Sequence, residues 1–136
     1  MHRVSVGLHE IFQALSDPTR IRIVQLLLNS STPLCLCDFA EALSEPEYKL
    51  SRHIKLLRGA GLLSAEREGK WIYHSLVKEE KYIKSVMKSI ELFPVSAPSS
   101  GDLLRLNKRI ARRSGGKCKE VDELKPEKIR NKESRA

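Results

Sequence analysis

The chain has 136 residues, enough for one small domain and a tail, and only 5% of them are aromatic. No apolar run approaches the roughly 20 residues that a membrane span needs, and no cationic start leads into an apolar block with a cleavage site, so neither a span nor secretion is expected. The net charge of +8 and the pI near 9.6 point to a polyanionic partner, nucleic acid before an acidic membrane surface.

That charge is uneven. Residues 1–93 carry 13 Lys/Arg against 11 Asp/Glu, and residues 94–136 carry 12 against 6. Composition alone therefore does not make residues 1–93 a nucleic-acid domain, and pattern must decide. Three cysteines is an odd count, and Cys35 and Cys37 stand too close for an ordinary mutual disulfide, which fits a reducing cytoplasm. No nucleophile–base set, Gly-rich phosphate loop or paired catalytic carboxylates can be read, so an enzyme is not expected.

In chain order, Leu8, Ile11, Phe12 and Leu15 form the stripe of a first helix. Asp17 caps a second, with Pro18 at its first position and Ile21, Val24, Leu27 and Leu28 inward. A short third helix is expected from about Cys37 to Leu43. Ser44 and Glu47 then read as a capping box for a fourth, carrying Leu50, Ile54 and Leu57 on its inner face and stopping at Gly59-Ala60-Gly61. The period changes to two across Leu62–Arg67 and Lys70–Leu76, with Glu68-Gly69 as the turn of a β-hairpin. A fifth helix follows, with Ile83, Val86, Met87 and Ile90 in its stripe. Residues 94–136 read as a basic, flexible tail. Arg105–Arg113 could form a short helix within it, and Arg109, Arg112 and Arg113 are expected to add non-specific phosphate affinity.

Two short helices joined by a tight turn, then a hairpin, outline an α+β winged helix-turn-helix of about five helices and a two-stranded wing. The second helix of the pair enters the major groove. Its exposed face would offer Tyr48, Lys49, Ser51, Arg52 and Lys55 to double-stranded DNA. His53 on the same helix is weighted towards packing over base contact. Arg67 and Lys70 flank the wing turn and can meet the backbone. A solvated basic face docking an acidic protein is the competing explanation.

Cys35 and Cys37 admit two explanations. Free cysteine is among the most buried residue types, so two small core residues would suffice. Alternatively, both sit at a helix start, where the positive helix end favours the metal-binding thiolate. Residues two apart on a regular helix point about 200° apart. Both could reach one ion only if the Leu34–Leu36 segment is extended, or if binding unwinds the first turn.

The stretches LSDPTRIRIVQLL, CLCDFAEAL, SRHIKLLRGAGLL and REGKWIYHSL resemble the ArsR/SmtB family of metal-responsive winged-helix repressors. The resemblance spans about residues 8–93. It implies a homodimer through the first and last helices, here Leu8, Ile11, Phe12, Ile83, Val86, Met87 and Ile90. It also implies an operator that is an imperfect inverted repeat, released when a metal binds, and makes residues 1–93 a DNA-binding and dimerisation domain. Arsenic-responsive members carry a similar Cys-x-Cys run with a third cysteine three residues on, where this chain has Ala40. As(III) or Sb(III) is therefore the expected inducer, with no organic cofactor. A small-molecule thiol or Cys118 could supply a third sulfur. Zinc-type members place His ligands on the last helix, and residues 77–93 contain none. Cadmium- and lead-type members take further cysteines from an N-terminal arm, and residues 1–10 contain none. A thiol-redox response through Cys35 or Cys37 is the alternative, with a cadmium- or lead-type sensor or a non-DNA interaction module ranked below it.

Overall fold

The computed structural model describes residues 6–94 and 101–113. Expectations placed on Cys118 and on the chain from Ser114 onward fall outside those residues.

Helix α1 (Leu8–Leu15) begins after Gly7, whose N–H donates to the Glu10 carboxylate at 2.7 Å. Its expected stripe is divided. Ile11 and Ala14 enter the core, while Leu8 and Phe12 stay 61% and 54% exposed. Helix α2 (Pro18–Leu28) is capped as expected: Asp17 Oδ2 accepts from the N–H groups of Thr19 at 2.9 Å and Arg20 at 3.1 Å. Such a cap is worth about 1 kcal/mol. Ile23 and Leu26 join Val24 and Leu27 in the core, where a single stripe of Ile21, Val24, Leu27 and Leu28 was expected. The reason is that α2 is wrapped by α1 and by every later helix, so it has no one dry side.

Strand β1 (Leu34–Cys35) leads directly into α3 (Leu36–Leu43). Ser44 then adopts a left-handed backbone, φ 57° and ψ 47°, as the C-cap of α3. The capping box expected of Ser44 and Glu47 is therefore absent. Pro46 takes the N-cap position of α4 (Glu47–Gly59), and its ring fixes the extended entry. Gly61, at φ +81°, turns the chain from α4 into the wing.

The wing is β2 (Leu63–Glu68) and β3 (Trp71–Leu76), turned at Gly69, φ +66°. The sheet has three antiparallel strands in the order β1-β3-β2, one more than expected. Leu34 pairs with His74 and Cys35 with Tyr73. Two residues are too few to display a period of two, so β1 could not be read as a strand locally. Helix α5 (Lys81–Leu92) closes the first part of the chain and buries Ile83 and Met87.

Helix α6 (Asp102–Arg112) overlaps the short helix allowed over Arg105–Arg113, and the departure is that it packs on the domain instead of lying in a free tail. It lies along α3 and buries Leu106 completely. Three of its charged residues turn inward because oppositely charged partners wait there: Asp102 meets Arg22, while Arg109 and Arg113, at and just past its end, meet Asp38. The core beneath holds Phe39, Leu43, Leu50 and Leu57, each 1% exposed or less. Full burial of one such side chain stabilises the fold by about 1.5–3 kcal/mol.

Candidate functional site

Cys35 is the last residue of β1 and the N-cap of α3, with extended backbone at φ −96°, ψ 172°. Cys37 lies one residue into the helix. Because Cys35 is extended, the two side chains converge instead of splaying, and their Sγ atoms stand 2.9 Å apart. Of the two geometries open to the sequence, the extended segment is the one adopted, with the helix starting at Leu36.

Asp38 completes a group whose ligand atoms all lie within 4.8 Å of one another. Its carboxylate is fully buried and heavily bonded. Oδ2 accepts from the Cys35 backbone N–H at 2.9 Å and from Arg113 Nη1 at 3.2 Å, and Oδ1 accepts from Arg109 Nε at 2.5 Å. Arg109 also donates from Nη2 to Cys37 Sγ at 3.1 Å and from Nη1 to Glu41 at 2.7 Å. Burial by itself would raise the Glu41 carboxyl, but bonds and charge from Arg109 and Arg112 outweigh that and hold it below its usual range. Ala40 presents only a methyl group, partly buried against the core.

This donor set fits a soft, thiophilic ion. Two sulfurs converge, and the hard oxygen of Asp38 is already engaged by two guanidinium groups. Asp38, Arg109 and Arg113 were missed as members of the site. The signal was present: Arg105, Leu106, Arg109, Ile110 and Arg113 recur at helical spacing, matching Asp38 and Glu41 three apart on α3.

On α4, Tyr48, Ser51, Arg52 and Lys55 are exposed, Tyr48 at 77%. Lys49 is partly covered and pairs with Glu45 at 3.0 Å. His53 accepts at Nδ1 from Arg20 Nη1 at 3.1 Å, tying α4 to α2. Burial first, then Arg20, Lys49 and Arg52, hold its pKa below the ordinary value against the pull of Asp17. At the wing, Arg67 Nη1 donates to the Gly69 carbonyl at 3.1 Å, and Lys70 lies 5.5 Å from the Trp71 ring centroid.

The residues expected at a dimer interface separate into two groups. Ile11, Ile83 and Met87 are buried within one chain, at 2%, 1% and 6% exposure, so they support the protomer instead of facing outward. Leu8 and Phe12 are exposed, and Val86 and Ile90 partly so. Tyr82, Leu92 and Phe93 add further exposed apolar surface on and after α5. The expected phosphate contacts of the tail are also corrected. Arg109 and Arg113 are buried in ion pairs, and Arg112 pairs with Glu41 at 2.6 Å. Among the described residues, no helix is long and apolar enough to cross a membrane.

A helix-turn-helix domain family matches residues 15–64. The chain is 45% identical over 67 residues to the arsenical resistance operon repressor of Escherichia coli K12, covering 49% of this chain and 56% of that protein. It is 32% identical over 92 residues to a cadmium resistance transcriptional regulatory protein CadC homologue of Staphylococcus aureus, covering 68% of this chain and 74% of that one. Among solved structures, reduced HlyU from Vibrio cholerae superposes with a TM-score of 0.54 at 20% identity, covering 61% of this chain and 83% of that one. At that identity the likeness is one of fold, the winged helix-turn-helix.

Proposed function

Given that this chain belongs to the ArsR/SmtB family of winged helix-turn-helix transcriptional regulators, we propose that it is a metalloid-responsive repressor whose homodimer leaves operator DNA when Cys35 and Cys37 take up As(III) or Sb(III). The supporting observation is the 2.9 Å approach of the two sulfurs at the junction of β1 and α3. The E. coli relative named as an arsenical resistance repressor supports the choice of ion.

The residues suggest a route from binding to release. Helix α4 offers Tyr48, Ser51, Arg52 and Lys55 to the major groove, and Arg67 and Lys70 on the wing reach the flanking backbone. Helix α3 packs on α4, joined to it by only Ser44, Glu45 and Pro46. Cys35 belongs to the sheet and Cys37 to α3. Holding both sulfurs at one ion therefore fixes the first turn of α3 against β3 and biases the element that aims α4. The exposed apolar residues of α1 and α5 close a two-fold dimer, which sets two recognition helices one duplex turn, roughly 34–36 Å, apart.

Arsenite titrated into the complex with an operator selected from random duplexes should release the DNA. Cys35→Ser and Cys37→Ser should hold the operator at arsenite levels that empty the wild type. Retention by the wild type at saturating arsenite, or unchanged release from Cys35→Ser, would sink the proposal. Release by peroxide alone, with none by arsenite, would make the thiol pair a redox device instead.

A further inference from the structure

Trivalent arsenic and antimony take three sulfurs, and the described residues bring two to the start of α3. Asp38 is a poor third ligand, since its oxygens are held by Arg109 and Arg113 and are hard donors. Beside the sulfurs lies a cavity of about 320 Å³ between the start of α3, α4 and β3, with both cysteines in its wall. That volume falls within the roughly 300–1,000 Å³ of small-molecule sites.

The rest of the wall has a definite chemistry. Lys55, Arg58 and Lys70 face one acid, Glu47, so the cavity favours an anion. His74 is 5% exposed, and its Nδ1 has no hydrogen-bond partner among the described residues; the same holds for Trp71 Nε1. Both residues line the cavity. A buried polar atom without a partner costs stability, and a ligand with polar groups could relieve it.

We propose that this cavity binds a low-molecular-weight thiol bearing carboxylates, and that its sulfur is the third ligand of the ion held by Cys35 and Cys37. The inference rests on the metalloid function proposed above. In the exchange, arsenous acid gives up three As–O bonds for three As–S bonds. Starting from the reduced dithiol form of Cys35 and Cys37, each thiol proton leaves with a hydroxyl as water and arsenic stays trivalent, so the exchange itself needs no oxidant or reductant. The carboxylates would sit against Lys55 of the recognition helix and Lys70 of the wing. Those cations are then withdrawn from DNA phosphates, and the small thiol becomes a co-inducer.

The test uses the full chain, stripped of small thiols and loaded with arsenite, with reduced glutathione as the probe. X-ray absorption counts As–S bonds, and native mass spectrometry counts glutathione. Cys118→Ser removes the other possible sulfur. In that variant, two As–S bonds are expected without glutathione, and three, with one glutathione per arsenic, in its presence. Arg58→Glu should weaken glutathione uptake by the arsenite-loaded chain about tenfold. Three As–S bonds in the wild type without glutathione, falling to two in Cys118→Ser, would place the third sulfur in the chain and overturn the proposal. Unchanged glutathione affinity in Arg58→Glu would overturn the cavity as its site. No As–S signal under any condition would remove the metalloid function itself, a failure distinct from both.

Discussion

His74 lies on β3 with its ring 6.2 Å from that of Phe39 and almost no surface exposed. Burial, assisted by the charge of Arg58, lowers its pKa to about 4. In the unfolded chain an imidazole titrates near 6.5. The unfolded state therefore takes the proton first as pH falls. The contribution of neutral His74 is complete above about pH 6.5, is lost progressively towards about pH 4, and then levels off. Its size across that window is at most about 3 kcal/mol. Urea unfolding at pH 7 and pH 4.5 should show a smaller difference between the two conditions for His74→Gln than for the wild type. Parallel profiles for the two proteins would contradict this account. His74 alternates with Ile72 along the sequence, a local pattern, whereas its pairing with Leu34 across the sheet belongs to the fold.

Between elements, the decisive contact is α6 on α3. Arg109 reaches Asp38, Glu41 and Cys37 with three different nitrogens. Removing one partner of a buried charge leaves the other uncompensated. Arg109→Ala should cost about 3 kcal/mol in chemical denaturation, a figure set below the upper range because Arg113 still pairs with Asp38. Arg112→Ala removes a pair that is 45% and 35% exposed at its two side chains and should cost below about 1 kcal/mol. Equal losses for the two variants would show that the latch is not held where the geometry puts it. Glu41 gives it a pH sense. A carboxyl held below its usual value contributes fully above the unfolded carboxylate range and loses that contribution as pH falls through its folded pKa. A deletion meant to probe only the basic tail must begin after Arg113. Starting at residue 94 would strip Asp38 of both arginines and open the site of Leu106.

For the whole molecule, the unresolved demand is apolar surface. Leu8, Phe12, Tyr82, Leu92 and Phe93 are between 40% and 74% exposed, on or just beyond two helices at the two ends of the winged domain. A chain of this size rarely leaves so many large apolar side chains in water without a partner surface. Sedimentation should show a dimer for the wild type and a monomer for Phe12→Asp. Thermal stability of the protomer should be little changed, since Phe12 is half exposed. Operator affinity should fall about a hundredfold as the two half-sites lose their linkage. A dimer that survives Phe12→Asp would move the interface elsewhere.

The sequence by itself determined what is local. Asp17-Pro18 starts α2, glycines close α4 and turn the wing, and the change of period from 3.6 to two separates α4 from the hairpin. Each of these depends on the dihedral preferences or spacing of a few neighbouring residues, so each is legible without the rest of the chain. The Cys-x-Cys spacing was legible in the same way, as a possibility. Only the tertiary structure decided that possibility's geometry. The pairing of Leu34 and Cys35 with β3 extends the backbone and lets the two sulfurs meet. Asp38 and Arg109 are 71 residues apart, and their helical spacings put each on a helix face without saying that the two faces meet. A basic helix and a solvated basic tail have the same composition. What distinguishes them is whether buried acids lie within reach, and that is settled by the packing of α6 on α3.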